Sequence, residues 1–379
     1  GTFTTAGGVS ANNIARWNGT AWSALGTGTN GYVSAIAVAP NGDIFIGGAF
    51  SQAGSISNAN YIARWDGTAW HSLAGGMNNE VRALALDANG NLFAGGNFTT
   101  AGGVSAANIA RWDGSSWHAL GAGVDAFVNA ITLLPNNDVV AGGIFINAGG
   151  APANRIARWT GSTWQTLGTG VSGWVSALAS VGSTIYAAGG FVTAGGRIVN
   201  HIARWNGSSW EALGHDAIGA NATLNALAVQ GQTLFAAGNA TAFGGIVANG
   251  IAQLEMPNAA EVRSVSAGNS SHTFAGTGVS IDFTGVANSG FVSVARYDRA
   301  PQNVSGIPQA NVSSYCFVIT QTGLGTFNAL LRLNRAQIPN SGISNPATVR
   351  VYRRATPNTG TFVACLLYTS DAADDLLCV

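Results

Sequence analysis

One tetrapeptide governs what this chain can fold into. Ile-Ala-Arg-Trp occurs at Ile14–Trp17, Ile62–Trp65, Ile109–Trp112, Ile156–Trp159 and Ile202–Trp205, at intervals of 48, 47, 47 and 46 residues. A second tryptophan follows each copy five residues on, at Trp22, Trp70, Trp117, Trp164 and Trp210. Ten of the eleven tryptophans obey this period, and only Trp174 stands outside it. A worn sixth copy, Ile251–Leu254, closes the series. A strict period of this size marks a supersecondary unit that cannot bury its apolar face alone and must stack on its neighbours.

Each unit holds four strand-like pieces. The first is the Ile-Ala-Arg-Trp segment and the second begins near the second tryptophan. Between them lies a turn pair: Asn18-Gly19, Asp66-Gly67, Asp113-Gly114, Thr160-Gly161 or Asn206-Gly207. Asn-Gly and Asp-Gly supply the positive φ angles of tight hairpins. The third piece reads VSAIAV, VRALAL, VNAITL, VSALAS or LNALAV, and the fourth DIFIGGAF, NLFAGGNF, DVVAGGIF, TIYAAGGF or TLFAAGNA. The last two are near-continuous runs of small apolar residues, as expected of strands covered on both faces. Four antiparallel strands in about 47 residues is the pattern of a propeller blade, and a β-solenoid would use shorter coils, ~20–30 residues. Charged residues make up 8% of the chain, where globular chains average about 25%. All sixteen basic residues are arginine, and no apolar run approaches the ~18 residues of a membrane-spanning helix.

The repeated arginines Arg16, Arg64, Arg111, Arg158 and Arg204 are candidates for a ring of guanidinium groups that catches an anion. The competing reading gives each a blade-maintaining role. Turn length enters here: a two-residue hairpin loop pairs Trp17 with Thr20, whereas a three-residue loop pairs Arg16 with Trp22 and allows a cation–π contact. His71 and His118 share one repeat position, which Ser23, Gln165 and Glu211 fill elsewhere, so that position reads as exposed. Asp87–Asn91 has the alternating oxygens of a calcium loop but no distal glutamate, and in sister repeats it is a plain turn. No metal, cofactor or nucleophile motif is found, and no catalytic residue is assigned. Glycoside hydrolysis requires two carboxylates about 5–10 Å apart. The acids that break the repeat, Glu80, Asp125, Glu211 and Asp216, are the first places to look for such a pair.

On these motifs, FTTAGGVSANNIARW, AWSALG, VxALAL and LFAGGNF, residues 1 to about 255 resemble the tandem repeats of large secreted or surface-anchored bacterial proteins. They are also similar to kelch and galactose-oxidase-like propellers and to fungal cortical cell-polarity markers. The resemblance implies a propeller and a secreted or surface location. The copper ligands and Tyr–Cys crosslink of galactose oxidase have no counterpart, because the repeat region contains no cysteine.

The chain thus divides into propeller repeats at 1–255, an accessory domain at 256–364 and a tail at 365–379. The second region alternates more strongly in segments such as GVSIDFTGV, GFVSVARYD and ATVRVYRRA, which reads as a β-sandwich with one wet face. It carries eight arginines against Glu261, Asp282 and Asp298; Arg332, Arg335, Arg353 and Arg354 read as solvated surface, not as a nucleic-acid footprint. Cys365–Val379 departs from this text and, taken as codons, resembles a translated sequencing adapter. On that reading it has no packed role, Cys316 is left as the one cysteine, and thirteen acids face sixteen arginines. Gly1-Thr2-Phe3 matches the end of a fourth piece, so the sequence is expected to open inside a repeat. The functional expectation is a non-catalytic binding, adhesion or display module whose partner is a polysaccharide or a cell-surface protein. The alternative is a polysaccharide hydrolase or lyase.

Overall fold

The computed structural model describes residues 1–213, 219–231, 233–244, 246–248, 250–255, 259–274, 279–297, 312–322, 328–333, 349–351 and 361–368. Every regular element among them is a β-strand. Two units divide the chain. Gly1–Leu213, Ile218–Val229 and Phe235–Ala252 form the first and the remainder the second, so the main boundary falls three residues before the expected one.

The first unit is a five-blade β-propeller repeat array. Four blades are complete, with four antiparallel strands each. The first blade contains Tyr32–Val38, Ile44–Ala49, Ile62–Trp65 and Trp70–Ser72, in that order from the inner strand outward. The second repeats this with Val81–Leu86, Leu92–Gly96, Ile109–Trp112 and Trp117–Ala119. Val128–Leu133, Val139–Gly143, Ile156–Trp159 and Trp164–Thr166 make the third. Val175–Val181, Thr184–Gly189, Ile202–Trp205 and Trp210–Ala212 make the fourth. Three described strands, Leu224–Gln230, Thr233–Gly238 and Ile251–Glu255, form the fifth. An isolated pair, Ala15–Trp17 with Trp22–Ala24, stands before the first blade. A blade therefore starts at the third sequence piece and ends with the second piece of the next repeat, two strands out of phase with the tetrapeptide.

The second strand of each blade explains the small-residue runs. Leu92–Gly96 and Val139–Gly143 are buried at every position. A Cβ added to Gly47 would lie 2.4 Å from Cγ1 of Val81 on the next blade, and one added to Gly95 2.5 Å from Cγ1 of Val128. Blades stack too closely there for any side chain. Glycine is the residue that admits the neighbour's valine. Between second and third strands, a short two-stranded hairpin such as Thr100–Ala101 with Val104–Ser105 covers the blade edge. Its Gly102 seats Trp117, whose Cδ1 a Cβ would approach to 2.6 Å.

The outer turn differs from both expected hairpins. Trp17 pairs directly with Trp22 and Arg16 with Ser23, so the connection has four residues. The two indoles lie on one face, with ring centroids 5.5 Å apart and planes tilted by 49°; Arg16 and Ser23 lie on the other. The reason is local: Asn18 Oδ1 accepts hydrogen bonds from the N–H groups of Thr20 and Ala21, and Gly19 takes a φ of 101°. An Asx turn of this kind closes four residues without a two-residue loop. The other four copies place tryptophan opposite tryptophan in the same register.

The second unit holds two antiparallel sheets. Ala259–Val265, Gly290–Tyr297, Val312–Thr322, Thr361–Tyr368 and Val349–Val351 form one, in that spatial order; Gly268–Phe274, Val279–Val286 and Asn328–Leu333 form the other. Phe274, Ile281, Phe283, Val286, Val292 and Val294 are buried. The strand Thr361–Tyr368 runs across the expected start of the tail: Cys365 stands opposite Cys316 and Leu366 opposite Val351. The strand thus includes the first four residues of the expected tail, and 369–379 lie outside the described residues.

Candidate functional site

The inner strands of successive blades lie side by side, and one of their ends is where the repeat loses its regularity. Val33, Val81, Val128, Val175 and Leu224 are buried at equivalent positions of these strands. The residue before each is Tyr32, Glu80, Phe127, Trp174 or Thr223, and the residue after is Ser34, Arg82, Asn129, Ser176 or Asn225. Nearly identical repeats thus present different side chains at one end of neighbouring strands. Packing holds the apolar position constant while its flanks are free to vary.

These side chains are connected from blade to blade. Tyr32 Oη donates to Glu80 Oε1 at 2.9 Å, and Arg82 Nε donates to Glu80 Oε2 at 3.0 Å. Arg82 also donates from a terminal nitrogen to Asn129 Oδ1 at 3.2 Å and lies 4.7 Å above the Phe127 ring, within cation–π range. Asn129 Nδ2 donates to the Val175 carbonyl at 3.1 Å. The relay crosses three blade junctions. The Tyr32 hydroxyl is pushed up from its ordinary value, mainly because its proton is held by the Glu80 carboxylate.

Trp174 completes the arrangement. It is 47% exposed, and a Cβ added to Gly190 would lie 2.3 Å from its Cε2 and Cζ2. The indole rests on bare backbone at Gly190, where Ala49, Asn97 and Ile144 stand in the other complete blades. Tyr32, 40% exposed, and Ile144, 41% exposed, sit at the same strand end. Together they form a surface of aromatic rings interleaved with a carboxylate, a guanidinium and an amide.

Among the described residues, the acids singled out by the sequence have separate partners. Glu80 belongs to the relay. Asp125 fills the loop position of Asn30, Asn78 and Asn221: its Oδ1 accepts the N–H groups of Ile146 and Asn147, and its Oδ2 the Asn147 amide. Burial works against ionisation there, but those hydrogen bonds prevail and hold its carboxyl below the usual carboxylate range. Glu211 lies on the outermost strand of the fourth blade, buried against Arg204 and hydrogen-bonded to Asn206. Asp216 lies outside the described residues.

The repeated arginines sit on the third strands, away from the inner strand ends. Arg64 bonds Asp43 at 3.1 Å, Arg158 bonds Gln165 at 2.6 Å and faces Asp138 at 3.4 Å, and Arg204 pairs with Glu211. Arg16 and Arg111 stand opposite Ser23 and His118 across the outer hairpin. Asp87 accepts the N–H groups of Asn89 and Asn91 and the Asn91 amide, so its turn uses the oxygens a calcium ion would need. His71 and His118 are bonded at 2.6 Å to Asp66 and Asp113 of their own hairpins. Among the described residues no three His, Cys, Asp or Glu side chains gather as a metal site. No helix among them is long and apolar enough to cross a membrane.

Arg82, Phe127, Asn129 and Trp174 were not singled out from the sequence as a group. The available signal was their departure from the period, which Trp174 shows most plainly.

By its blades the first unit is a β-propeller. Residues 64–241 match the family model described as the Rax2 C-terminal beta propeller domain. None of the curated proteins matches the chain. Among solved structures it is similar to YCF48 bound to D1 peptide, with 15% identity, a TM-score of 0.39, and 63% of this chain and 70% of that chain covered. It is similar to the extracellular domain of a hybrid two component system of B. thetaiotaomicron, with 12% identity, a TM-score of 0.38, and 88% and 42% covered. A third is PorZ, a surface component of the type-IX secretion system of Porphyromonas gingivalis, with 13% identity, a TM-score of 0.36, and 80% and 51% covered.

Proposed function

We propose that the propeller unit is a non-catalytic binding module of a secreted or surface-anchored protein, and that its ligand is a polysaccharide held across the inner strand ends. One observation carries the reading: the side chains that break the repeat gather at one end of adjacent inner strands, cross-linked by hydrogen bonds and flanked by exposed aromatic rings. Aromatic side chains offer a flat apolar face with little conformational freedom to lose, which suits the C–H face of a pyranose. Glu80, Arg82 and Asn129 offer the directional groups that hydroxyls require. An extended line of such groups over several blades favours a chain ligand over a small molecule in a closed pocket. The second unit, with its two antiparallel sheets, is read as an accessory sandwich domain.

The test is binding of the purified protein to a panel of insoluble and soluble polysaccharides, alongside Trp174→Ala and Tyr32→Ala variants. Retention of the parent protein on one polysaccharide class, lost in both variants without a change in melting temperature, is the expected result. Steady release of new reducing or unsaturated ends would replace this reading with the hydrolase or lyase. Equal retention of parent and variants would remove the inner strand ends as the site.

A further inference from the structure

A second departure from the repeat lies close to Trp174. In the loop between the second strand of each blade and the short hairpin beyond it, one exposed position changes character. It is Ser51, Thr99 and Thr241 in the first, second and fifth blades, but Ile146 and Val192 in the third and fourth. Ile146 is 51% exposed and Val192 48%. In every blade a single side-chain oxygen closes this loop. Asn30 Oδ1 accepts the N–H groups of Ser51 and Gln52, and Asn78 and Asn221 act in the same way in their own blades. Asp125 Oδ1 accepts those of Ile146 and Asn147, and Ser172 Oγ those of Val192 and Thr193.

The capping residue and the exposed residue change together. Where the exposed residue carries a hydroxyl, the cap is asparagine and its amide donates to that hydroxyl: Asn30 to Ser51 at 2.9 Å, Asn78 to Thr99 at 2.8 Å and Asn221 to Thr241 at 2.9 Å. Beside Ile146 or Val192 such an amide would lose its acceptor, and the cap there is a carboxylate or a hydroxyl instead. The polar version already satisfies the loop, so the aliphatic version sets apolar surface in water with no gain to the fold. Exposed apolar side chains scattered singly are ordinary. Two at equivalent positions of adjacent blades, with Ile144 and Trp174 at the same end, make a patch. Backbone hydrogen bonds tie the two positions together across the blade junction. The Asn154 N–H donates to the Ile146 carbonyl at 3.0 Å and the Val171 N–H to the Asn154 carbonyl at 3.0 Å; Ser172, next in sequence, holds the Val192 N–H at 3.1 Å.

The two caps define the polar chemistry of this patch. Asp125 Oδ2 accepts the Asn147 amide at 2.7 Å and has a second lone pair for another N–H. Ser172 Oγ accepts two backbone N–H groups, which leaves its own O–H to donate. One acceptor, one donor and two aliphatic side chains match an acetamido group: N–H, carbonyl and methyl. A plain sugar hydroxyl turned toward Ile146 and Val192 would lose water without a hydrogen bond in return. We propose that Asp125, Ile146, Ser172 and Val192 form a subsite for the N-acetyl group of an amino-sugar polysaccharide. This rests on the polysaccharide reading of the inner strand ends and specifies the sugar that the chain ligand carries.

The probes are three hexamers with one β-1,4 backbone, made of N-acetylglucosamine, glucosamine or glucose, titrated calorimetrically into the full chain. The parent protein is expected to bind the acetylated hexamer about tenfold more tightly than the glucose hexamer. The double variant Ile146→Thr, Val192→Thr installs the residue that stands natively at Thr99 and Thr241, so its melting temperature is expected to hold. It is expected to bind the acetylated hexamer about 3- to 10-fold more weakly and the glucose hexamer unchanged. Asp125→Asn keeps the capping oxygen, as Asn78 does, and is expected to weaken the acetylated hexamer selectively. Equal affinity of the parent for the acetylated and glucose hexamers, or a preference undiminished in the double variant, would overturn the subsite and leave the polysaccharide reading intact. Retention only on polysaccharides without acetamido groups would have the same meaning. Retention on no polysaccharide at all would remove that reading and the subsite with it.

Discussion

A methyl group at Gly142 tests how tightly the blades stack. The added carbon would lie 2.6 Å from Val175 Cγ1, inside any allowed contact. Gly142→Ala is therefore expected to destabilise the propeller by about 1–3 kcal/mol, read from the midpoint of denaturant unfolding. The same change at Gly150, where an added carbon meets nothing within 4 Å, adds no overpacking and isolates the positive-φ cost, since Gly150 has a φ of 83°. Arg204 provides the electrostatic counterpart. It and Glu211 are both buried, so Glu211→Ala leaves a guanidinium without its carboxylate, and the expected loss is about 3–5 kcal/mol in the same assay. At this scale the sequence showed that the arginines are structural candidates but not how each is used. Their partners come from the facing fourth strand and from the turn before the second, at positions whose identity changes from blade to blade: Ser23, His71, His118, Gln165 and Glu211 in the first case.

The outer hairpin shows what a strand pattern conveys and what it leaves open. Its existence was legible from Asn-Gly and Asp-Gly pairs between two tryptophans, but its register was not. The expected loops of two or three residues gave way to four, because the Asx side chain ties down the N–H groups of the third and fourth loop residues. Blade phase was hidden for a related reason: a period states the repeat length but not which strand lies innermost. In two copies the carboxylate has further work. Asp66 is held well below the ordinary carboxylate range, chiefly by the Ala69 N–H and then by His71; for Asp113 the His118 contact comes first, then the Ser116 N–H. A depressed folded-state pKa contributes stability that is complete above the unfolded value, about 3.9, and is lost as pH falls below it. The outer hairpins of the first two blades are thus expected to keep their amide protection at neutral pH and to lose it progressively as pH falls from about 4 toward the depressed folded-state value, ahead of the Asn206 hairpin. Hydrogen exchange followed by mass spectrometry resolves the two. Asp66→Asn is expected to abolish this acid sensitivity while preserving the turn, because Asn18 and Asn206 serve natively in that place.

At the scale of the molecule, the architecture was readable because every repeat states it again, and five statements of one pattern leave little freedom. The site was not readable for the complementary reason, since it consists of what each repeat does differently. The acids that attracted attention as irregular divide into a loop cap at Asp125, a buried ion pair at Glu211 and one member of the inner relay, Glu80. Distinguishing them required knowing which strand end each occupies. Trp174 and Gly190 turn this into a quantitative expectation. They stand just beyond the adjoining ends of the first two strands of the fourth blade, where the Gly190 N–H donates to the Trp174 carbonyl at 2.9 Å and the indole lies across the glycine. Gly190→Ala brings a carbon to within 2.3 Å of the ring and must tip it away, although the substituted residue offers nothing to a ligand itself. If the proposed polysaccharide site is correct, affinity should then fall about tenfold, approaching the effect of Trp174→Ala, with the melting temperature nearly unchanged because the ring is 47% exposed. A matched loss in both variants, measured by affinity electrophoresis beside thermal unfolding, would show that ring orientation governs binding. Full affinity in Gly190→Ala with loss in Trp174→Ala would show that contact area suffices in any orientation.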